Sequence, residues 1–336
     1  MHRASILIVL LLLPLFSPAA HAETSKVLFV NSYHQGFRWS DDIEKGLRKA
    51  LGLSGAAGRE EGPGQSELRL RIFRMDTKRH QSEVFKKQAA LTAKRLIDDW
   101  RPDVVVASDD NAAKYLIAPY FKDAALAFVF CGVNWDASVY GLPFSNCTGM
   151  VEVAPIKATI EAIKTYARGP RIGYLGADTA TNRKEIAYQK TLLGIHYTDG
   201  ALVSDFETWK AVYLRLQDSV DMLVWQDPTT IDGWNGRLAE DFVYAHTRIP
   251  TGVYSDPVVR YGLLGRVNIA EEQGWWAGKT ALRILGGTAP SDIPIVQNRQ
   301  SRLFLNMKLA HHLGIKFPMA LIEQATLIEE LQEDNP

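Results

Sequence analysis

The sequence predicts an α/β protein built on two parallel sheets, and three observations carry that reading. Short apolar runs alternate with amphipathic helical stretches from Lys26 onward, and the same alternation starts afresh after "NCTGMVEVAP". The third is length, since 336 residues suffice for two domains of about 100–200 residues each. Strands of parallel sheets are covered on both faces, so they are expected as continuous apolar runs such as "PDVVVAS" and "ALAFVFCGVN".

Each element follows from local chemistry. "KVLFVNS" is the first strand, and "WSDDIEKGLRKALG" a helix with Ser40 as N-cap. Asp41 and Asp42 sit at its positive end, with Lys45, Arg48 and Lys49 late in the helix. The loop "GLSGAAGREEGPGQSE" leads to the strand "LRLRIFRM" and then to a helix in which Phe85, Ala89, Ala93, Leu96, Ile97 and Trp100 keep helical spacing. In the second half Pro155 suits a first helical turn, Ile156, Ile160 and Ile163 form an apolar stripe, and Gly169-Pro170 stops the helix. "RIGYLGADT", "ALVSDF", "DMLVWQDPTT" and "IPTGVYSD" are strands separated by helical stretches. The helix "EEQGWWAGKTALRILGG" follows, then one more strand and helix in "SRLFLNMKLAHHLGI".

Arg3 followed by an apolar run from Ile6 to Phe16 and "SPAAHA" has the form of a secretory signal, residues 1–22, cleaved after Ala22. The run is short of the roughly 20 residues that span a bilayer, and no cysteine at the cleavage point takes a lipid. A soluble periplasmic protein beginning near Glu23 is expected, without membrane insertion after cleavage. Thirty-eight basic and 38 acidic residues cancel. That balance argues against a nucleic-acid partner, whose affinity rests on neutralising phosphates.

Cys131 and Cys147 would meet an oxidising compartment, where they either pair or stay as separate buried thiols. The eight histidines lack metal-ligand spacing, and His311 and His312 point to different helix faces. No G-x-S-x-G elbow, phosphate loop or G-x-G-x-x-G motif is present. A secreted hydrolase would need two carboxylates at a fixed separation, which sequence does not place. The expectation is therefore a protein that is not an enzyme and holds no cofactor or metal.

Ligands of open parallel sheets bind beyond the carboxyl ends of the strands. Those exits read Asn31-Ser32-Tyr33-His34, Ser108-Asp109-Asp110-Asn111, Gly132-Val133-Asn134, Gly176-Ala177-Asp178, Gln226-Asp227-Pro228-Thr229 and Ser255-Asp256. Short polar residues also cap helices wherever a strand feeds one, so each exit admits both readings. Their acids favour a cationic or hydroxyl-rich ligand over a bare anion. In "VNSYHQGFRWSDDIEKGL" the rings of Tyr33, His34, Phe37 and Trp39 either form a flap facing a ligand or cover a core edge.

The whole chain from about Val27 to Pro318 resembles the type I periplasmic binding proteins, specifically the substrate-binding family of uncharacterised ABC transport systems. The resemblance rests on "PDVVVASDDNAAKYL", "NCTGMVEVAPIKATIEAIK", "RIGYLGAD", "DMLVWQDPTT", "IPTGVYSDPVVRYGLLGRVNIAEEQGWWAGKTALRILGGTAPSDIPI" and "LFLNMKLAHHLGIKFP" in that order. It implies two Rossmann-like lobes joined by a three-strand hinge and closing on a small ligand. The N-terminal lobe would comprise 23–148 with 267–290, the C-terminal lobe 149–266 with 291–318, and 319–336 a helical tail. The implied ligand shell is Ser32, Tyr33, Asp109, Asp110 and Asn134 from one lobe and Asp178, Gln226, Asp227 and Asp256 from the other, with His34 and Trp39 in the flap. Asp109-Asp110 would repel the carboxylate of an α-amino acid.

The implied function is a monomeric solute-binding protein that delivers a small organic ligand to an ABC permease. The opening stretch "NSYHQGFRWSDDIEKG" also resembles a related group of extracytoplasmic sensor domains of kinases and diguanylate cyclases. That implies the alternative of a ligand-sensing subunit docking on a membrane sensor.

Overall fold

The computed structural model describes residues 24–53 and 68–328. The expected signal segment, most of the glycine-rich loop and the last eight residues lie outside them. In chain order the strands are β1 (Ser25–Asn31), β2 (Leu68–Arg74), β3 (Val104–Ser108), β4 (Ala127–Asn134), β5 (Cys147–Glu152), β6 (Ile172–Ala177) and β7 (Asp199–Val203). They continue as β8 (Met222–Trp225), β9 (Thr251–Val253), β10 (Leu264–Asn268), β11 (Val296–Gln297), β12 (Ser301–Asn306) and β13 (Ala325–Ile328). The helices are α1 (Arg38–Ala50), α2 (Glu83–Trp100), α3 (Asp109–Ala112), α4 (Ala118–Tyr120), α5 (Ile156–Lys164) and α6 (Ala180–Thr191). After them come α7 (Phe206–Ser219), α8 (Gly236–His246), α9 (Ala270–Leu285), α10 (Met307–His312) and α11 (Met319–Ile322).

Two sheets result. The first has the order β11-β5-β4-β3-β1-β2 and the second β13-β12-β10-β9-β8-β6-β7. Every pairing is parallel except that of β10 with β12. The α/β architecture with two parallel-sheet lobes is thus the one expected from the alternation. The first sheet carries a core on each face, and the second lobe a core with Trp209, Tyr213 and Trp225 at its centre.

Crossings between the sheets define how the lobes are joined. The chain leaves the first sheet after β5, returns from β10 to α9, and crosses again between β11 and β12. Cys147–Glu152 therefore belongs wholly to the first sheet, as does Val296–Gln297. Among the described residues no helix is long and apolar enough to cross a membrane.

Two expectations change and one open alternative closes. Ser40 is not the cap of α1, which begins at Arg38; its hydroxyl instead donates to Asn31 Oδ1 at 3.0 Å from inside the first turn. Cys131 and Cys147 form no disulfide. Cys131 shares one face of the first sheet with Val27, Phe29 and Val129, while Cys147 packs on the opposite face with Phe128 and Phe130. Of the stretch expected as a helical tail, the described residues 319–328 make the short α11 and then β13, which adds as a parallel edge strand to β12. Thr326 and Ile328 are β-branched and suit a strand, and the sheet edge supplies the backbone partners that a tail would lack.

Helix α9 returns to the first lobe because glycines let it lie directly on α1. A Cβ at Gly274 would meet Ile43 O at 1.8 Å, and one at Gly46 would meet Glu271 O at 2.1 Å. Gly274→Ala is expected to destabilise the protein by about 2–3 kcal/mol, the cost of overpacking a close contact, as a lower midpoint in urea unfolding. The two thiols are expected to react with an aromatic disulfide reagent only after unfolding, and electrospray mass should not change on reduction.

Candidate functional site

A cleft of about 630 Å³ opens between the lobes. The first lobe contributes Phe37, Arg38 and Trp39 from the start of α1, Asn134 and Trp135 from the end of β4, and Glu152 from the end of β5. The second contributes Thr179, Asn182 and Glu185 around α6, Asp227 beyond β8, Tyr254 and Asp256 beyond β9, and Phe304 on β12. Asn268, at a crossing, completes the floor. Strand ends and helix starts meet here because both sheets direct their carboxyl ends toward one crevice.

Trp39, Asn134, Asp227 and Asp256 are thus brought together as the sequence suggested. Asp256 receives Arg38 Nη1 at 3.1 Å, an ion pair that spans the two lobes. Asp227 is exposed, and its Oδ1 accepts the backbone N–H of Thr229 at 2.9 Å. Asn134 donates to Asp110 Oδ2, and Tyr140 donates to Asp110 Oδ1 at 2.8 Å, so Asp110 is spent within its own lobe.

The remaining expected residues stand behind the cleft or away from it. Ser32 is fully buried; its hydroxyl donates to Ser108 O at 2.5 Å and accepts from Ala112 N at 2.9 Å, joining β1, β3 and α3. His34 turns to Asp76, with Nδ1 3.6 Å from Oδ1. Tyr33 meets Phe37 edge-on at 5.2 Å, and burial with the nearby Asp109, Asp110 and Glu152 carboxylates pushes its phenol far above its ordinary range. Asp178 is held by Arg183 and kept below the usual carboxylate range by that pair. Gln226 is fully buried and lies 3.5 Å from Gln189.

Asp109 acts through Trp39. It is buried with φ of +69°, and its Oδ1 accepts from Trp39 Nε1 at 2.9 Å, which fixes one ring of the cleft wall. Oδ2 has no partner among the described residues. Burial raises this carboxyl to about 7, against the neighbouring Ser108 hydroxyl and the Trp39 hydrogen bond, which work the other way.

Glu152 and Glu185 were not singled out from sequence, yet both face the cleft. Glu152 Oε1 accepts from Asn268 Nδ2 at 3.1 Å, and burial, with Asp109, Asp110 and Glu185 nearby, raises its carboxyl to about 8. Glu185 Oε2 accepts from Tyr254 Oη at 3.3 Å, and burial, with Asp227 nearby, raises it to about 7. Carboxyls with raised pKa values bind protons more tightly folded than unfolded, so folding stability falls as pH rises from about 4 through about 8. The melting temperature of the ligand-free protein is therefore expected to drop between about pH 5 and pH 8, with a ceiling near 1.4 kcal/mol per pH unit for each group. Differential scanning calorimetry across that range checks this, and Glu152→Gln should flatten the slope.

The family model described as "ABC transporter substrate binding protein" matches residues 70–328. A ligand-free, open substrate-binding protein with adhesive properties from Clostridium difficile is similar in fold at 17% identity and TM-score 0.68, covering 91% of this chain and 99% of that chain. An ABC domain in complex with L-Trp from Streptococcus pneumonia is similar at 18% identity and TM-score 0.55, with coverage of 90% and 99%. A solute binding protein from Rhodopseudomonas palustris in complex with 3,4-dihydroxy benzoic acid is similar at 15% identity and TM-score 0.50, with coverage of 80% and 83%. No curated protein sequence matches the chain. The two lobes, the three crossings and the match over most of the length agree, and the chain belongs to the ABC transporter substrate binding protein family.

Proposed function

We propose that this chain is a periplasmic solute-binding protein that closes its two lobes on one small organic ligand and delivers it to an ABC permease. The supporting observation is the cleft itself: its walls come from both lobes, and its floor is the place where the chain crosses between them. A ligand held by Trp39 on one side and Phe304 or Tyr254 on the other makes its full set of contacts only when the lobes approach. Binding then favours the closed shape by the difference in affinity between the two states, and a membrane partner can read that shape. The leader sequence of residues 1–22, cleaved after Ala22, supports export to the periplasm. The cleft also accounts for the aromatic strand exit, since Phe37 and Trp39 line it.

The test is mass spectrometry of small molecules released on denaturing the protein purified from periplasm, followed by calorimetric titration of the stripped protein. A stoichiometric, unmodified metabolite that rebinds and reduces the radius of gyration is expected. Conversion of added compounds into products would instead establish a hydrolase.

A further inference from the structure

We propose that the cleft takes an organic cation, a protonated amine seated between Glu152 of the first lobe and Glu185 of the second, with a flat apolar body against Trp39. The inference rests on the reading of the cleft as the ligand site and names the chemistry that it selects. Each carboxyl spends one oxygen on the protein: Glu152 Oε1 on Asn268, and Glu185 Oε2 on Tyr254. Behind Tyr254 a relay fixes that arrangement. Tyr197 Oη donates to Gln189 Oε1 at 2.5 Å, and Gln189 Nε2 donates to Tyr254 Oη at 3.2 Å. The other oxygen of each carboxyl has no hydrogen-bond partner among the described residues.

Neither acid has a counter-ion. Among the described residues no lysine, arginine or histidine nitrogen lies within the 4.0 Å of an ion pair to Glu152 or Glu185. The basic residues of the lining are Arg38, paired to Asp256 and Asp42, and Arg302 on β12. Nearby, Lys78 faces Asp109, Arg183 is held by Asp178, and Lys184 lies over the Tyr188 ring at 5.4 Å. The other groups facing the pair are acidic: Asp109 and Asp110 toward Glu152, and Asp227 toward Glu185. A half-buried carboxylate without a counter-ion is costly, and both groups hold protons near neutral pH for that reason. An ammonium group placed between them supplies the missing charge, so the carboxyls ionise and their protons pass to solvent. The Trp39 and Phe37 rings add a cation–π face and apolar area.

The experiment is calorimetric titration of the mature chain with tryptamine and phenethylamine, their neutral counterparts tryptophol and 2-phenylethanol, and the anions indole-3-acetate and phenylacetate. Amines are expected to bind at least about tenfold more tightly than the matching alcohols, and Glu152→Gln and Glu185→Gln should each lose about tenfold for amines with less than about threefold change for alcohols. Without any substitution, amine affinity should rise at least about tenfold from pH 6 to pH 8, and the heat should vary with the buffer in the sense of proton release. Alcohols or anions binding as tightly as amines would overturn the cation assignment while leaving the binding-protein reading intact, as would an extracted natural ligand without a cationic group. Failure of all six probes, with no small molecule released from the purified protein, would overturn both.

Discussion

The rest of the structure depends on how three chain crossings are tied together by two side-chain amides. Asn298 Oδ1 accepts from Val153 N at 2.7 Å, and Asn298 Nδ2 donates to Asn268 Oδ1 at 2.8 Å. Asn268 Nδ2 in turn lies 3.2 Å from Val153 O and 3.1 Å from Glu152 Oε1. A strand that leaves its sheet gives up ladder partners for its backbone N–H and C=O groups, and these amides replace them. All three crossings are involved, so the lobes are joined through one shared network rather than through three independent linkers. Glu152 belongs to that network and to the cleft at once.

The aromatic wall is placed by a different constraint that starts from the same point. Helix α9 begins directly after the Asn268 crossing, and its Gly274 and Gly278 bring it into backbone contact with α1. Helix α1 presents Phe37 and Trp39 at its first turn, and Asp109 then fixes the indole by its hydrogen bond. Gly132, with φ of +67°, passes only 3.1 Å from Asp109 Oδ1 where a Cβ would stand. The left-handed backbone at Asp109 is the kind of local strain that persists when surrounding contacts over-determine it. The position of one cleft ring thus follows from helix packing, an unusual backbone and a buried acid together.

The two-sheet architecture was legible because strand and helix periods are local properties of the chain. The site was legible only in part. Trp39, Asn134, Asp227 and Asp256 come from the strand exits that the sequence pointed to, and they line the cleft. Ser32 and Gln226 also stand at strand exits and yet are fully buried, Ser32 joining neighbouring elements through its hydroxyl and Gln226 packed beside Gln189. Asp178 has a partner five residues away in Arg183, a pairing that sequence permits but does not require. Glu152 closes an apolar strand, and Glu185 lies in the middle of α6, where an acid ordinarily faces water. Long-range contacts half-bury both, Glu152 with Asn268 at a crossing and Glu185 with Tyr254 of its own lobe. The cysteines illustrate the same limit, because strand parity alone does not say on which face of the sheet the second thiol falls.

Two side-chain contacts join the lobes beside the cleft, and their energetics bear on the proposed closure. The Arg38–Asp256 pair is exposed at both ends, and pairs of that kind contribute about 0–1 kcal/mol. Trp135, anchored to the first sheet through its N–H to Glu152 O, stacks on Tyr188 of α6 at 5.9 Å, an arrangement worth about 0.5–1.5 kcal/mol beyond burial. Against these, Glu152 lies near Glu185 across the cleft, and the two carboxylates repel whenever both are ionised. On the proposed reading, a ligand that prefers the closed state by a few kcal/mol shifts the lobe population towards it. An amine of the proposed kind would draw both carboxyls into their ionised form and touch both lobes, so the groups that hold protons in the empty cleft are the ones that would tie closure to its occupant.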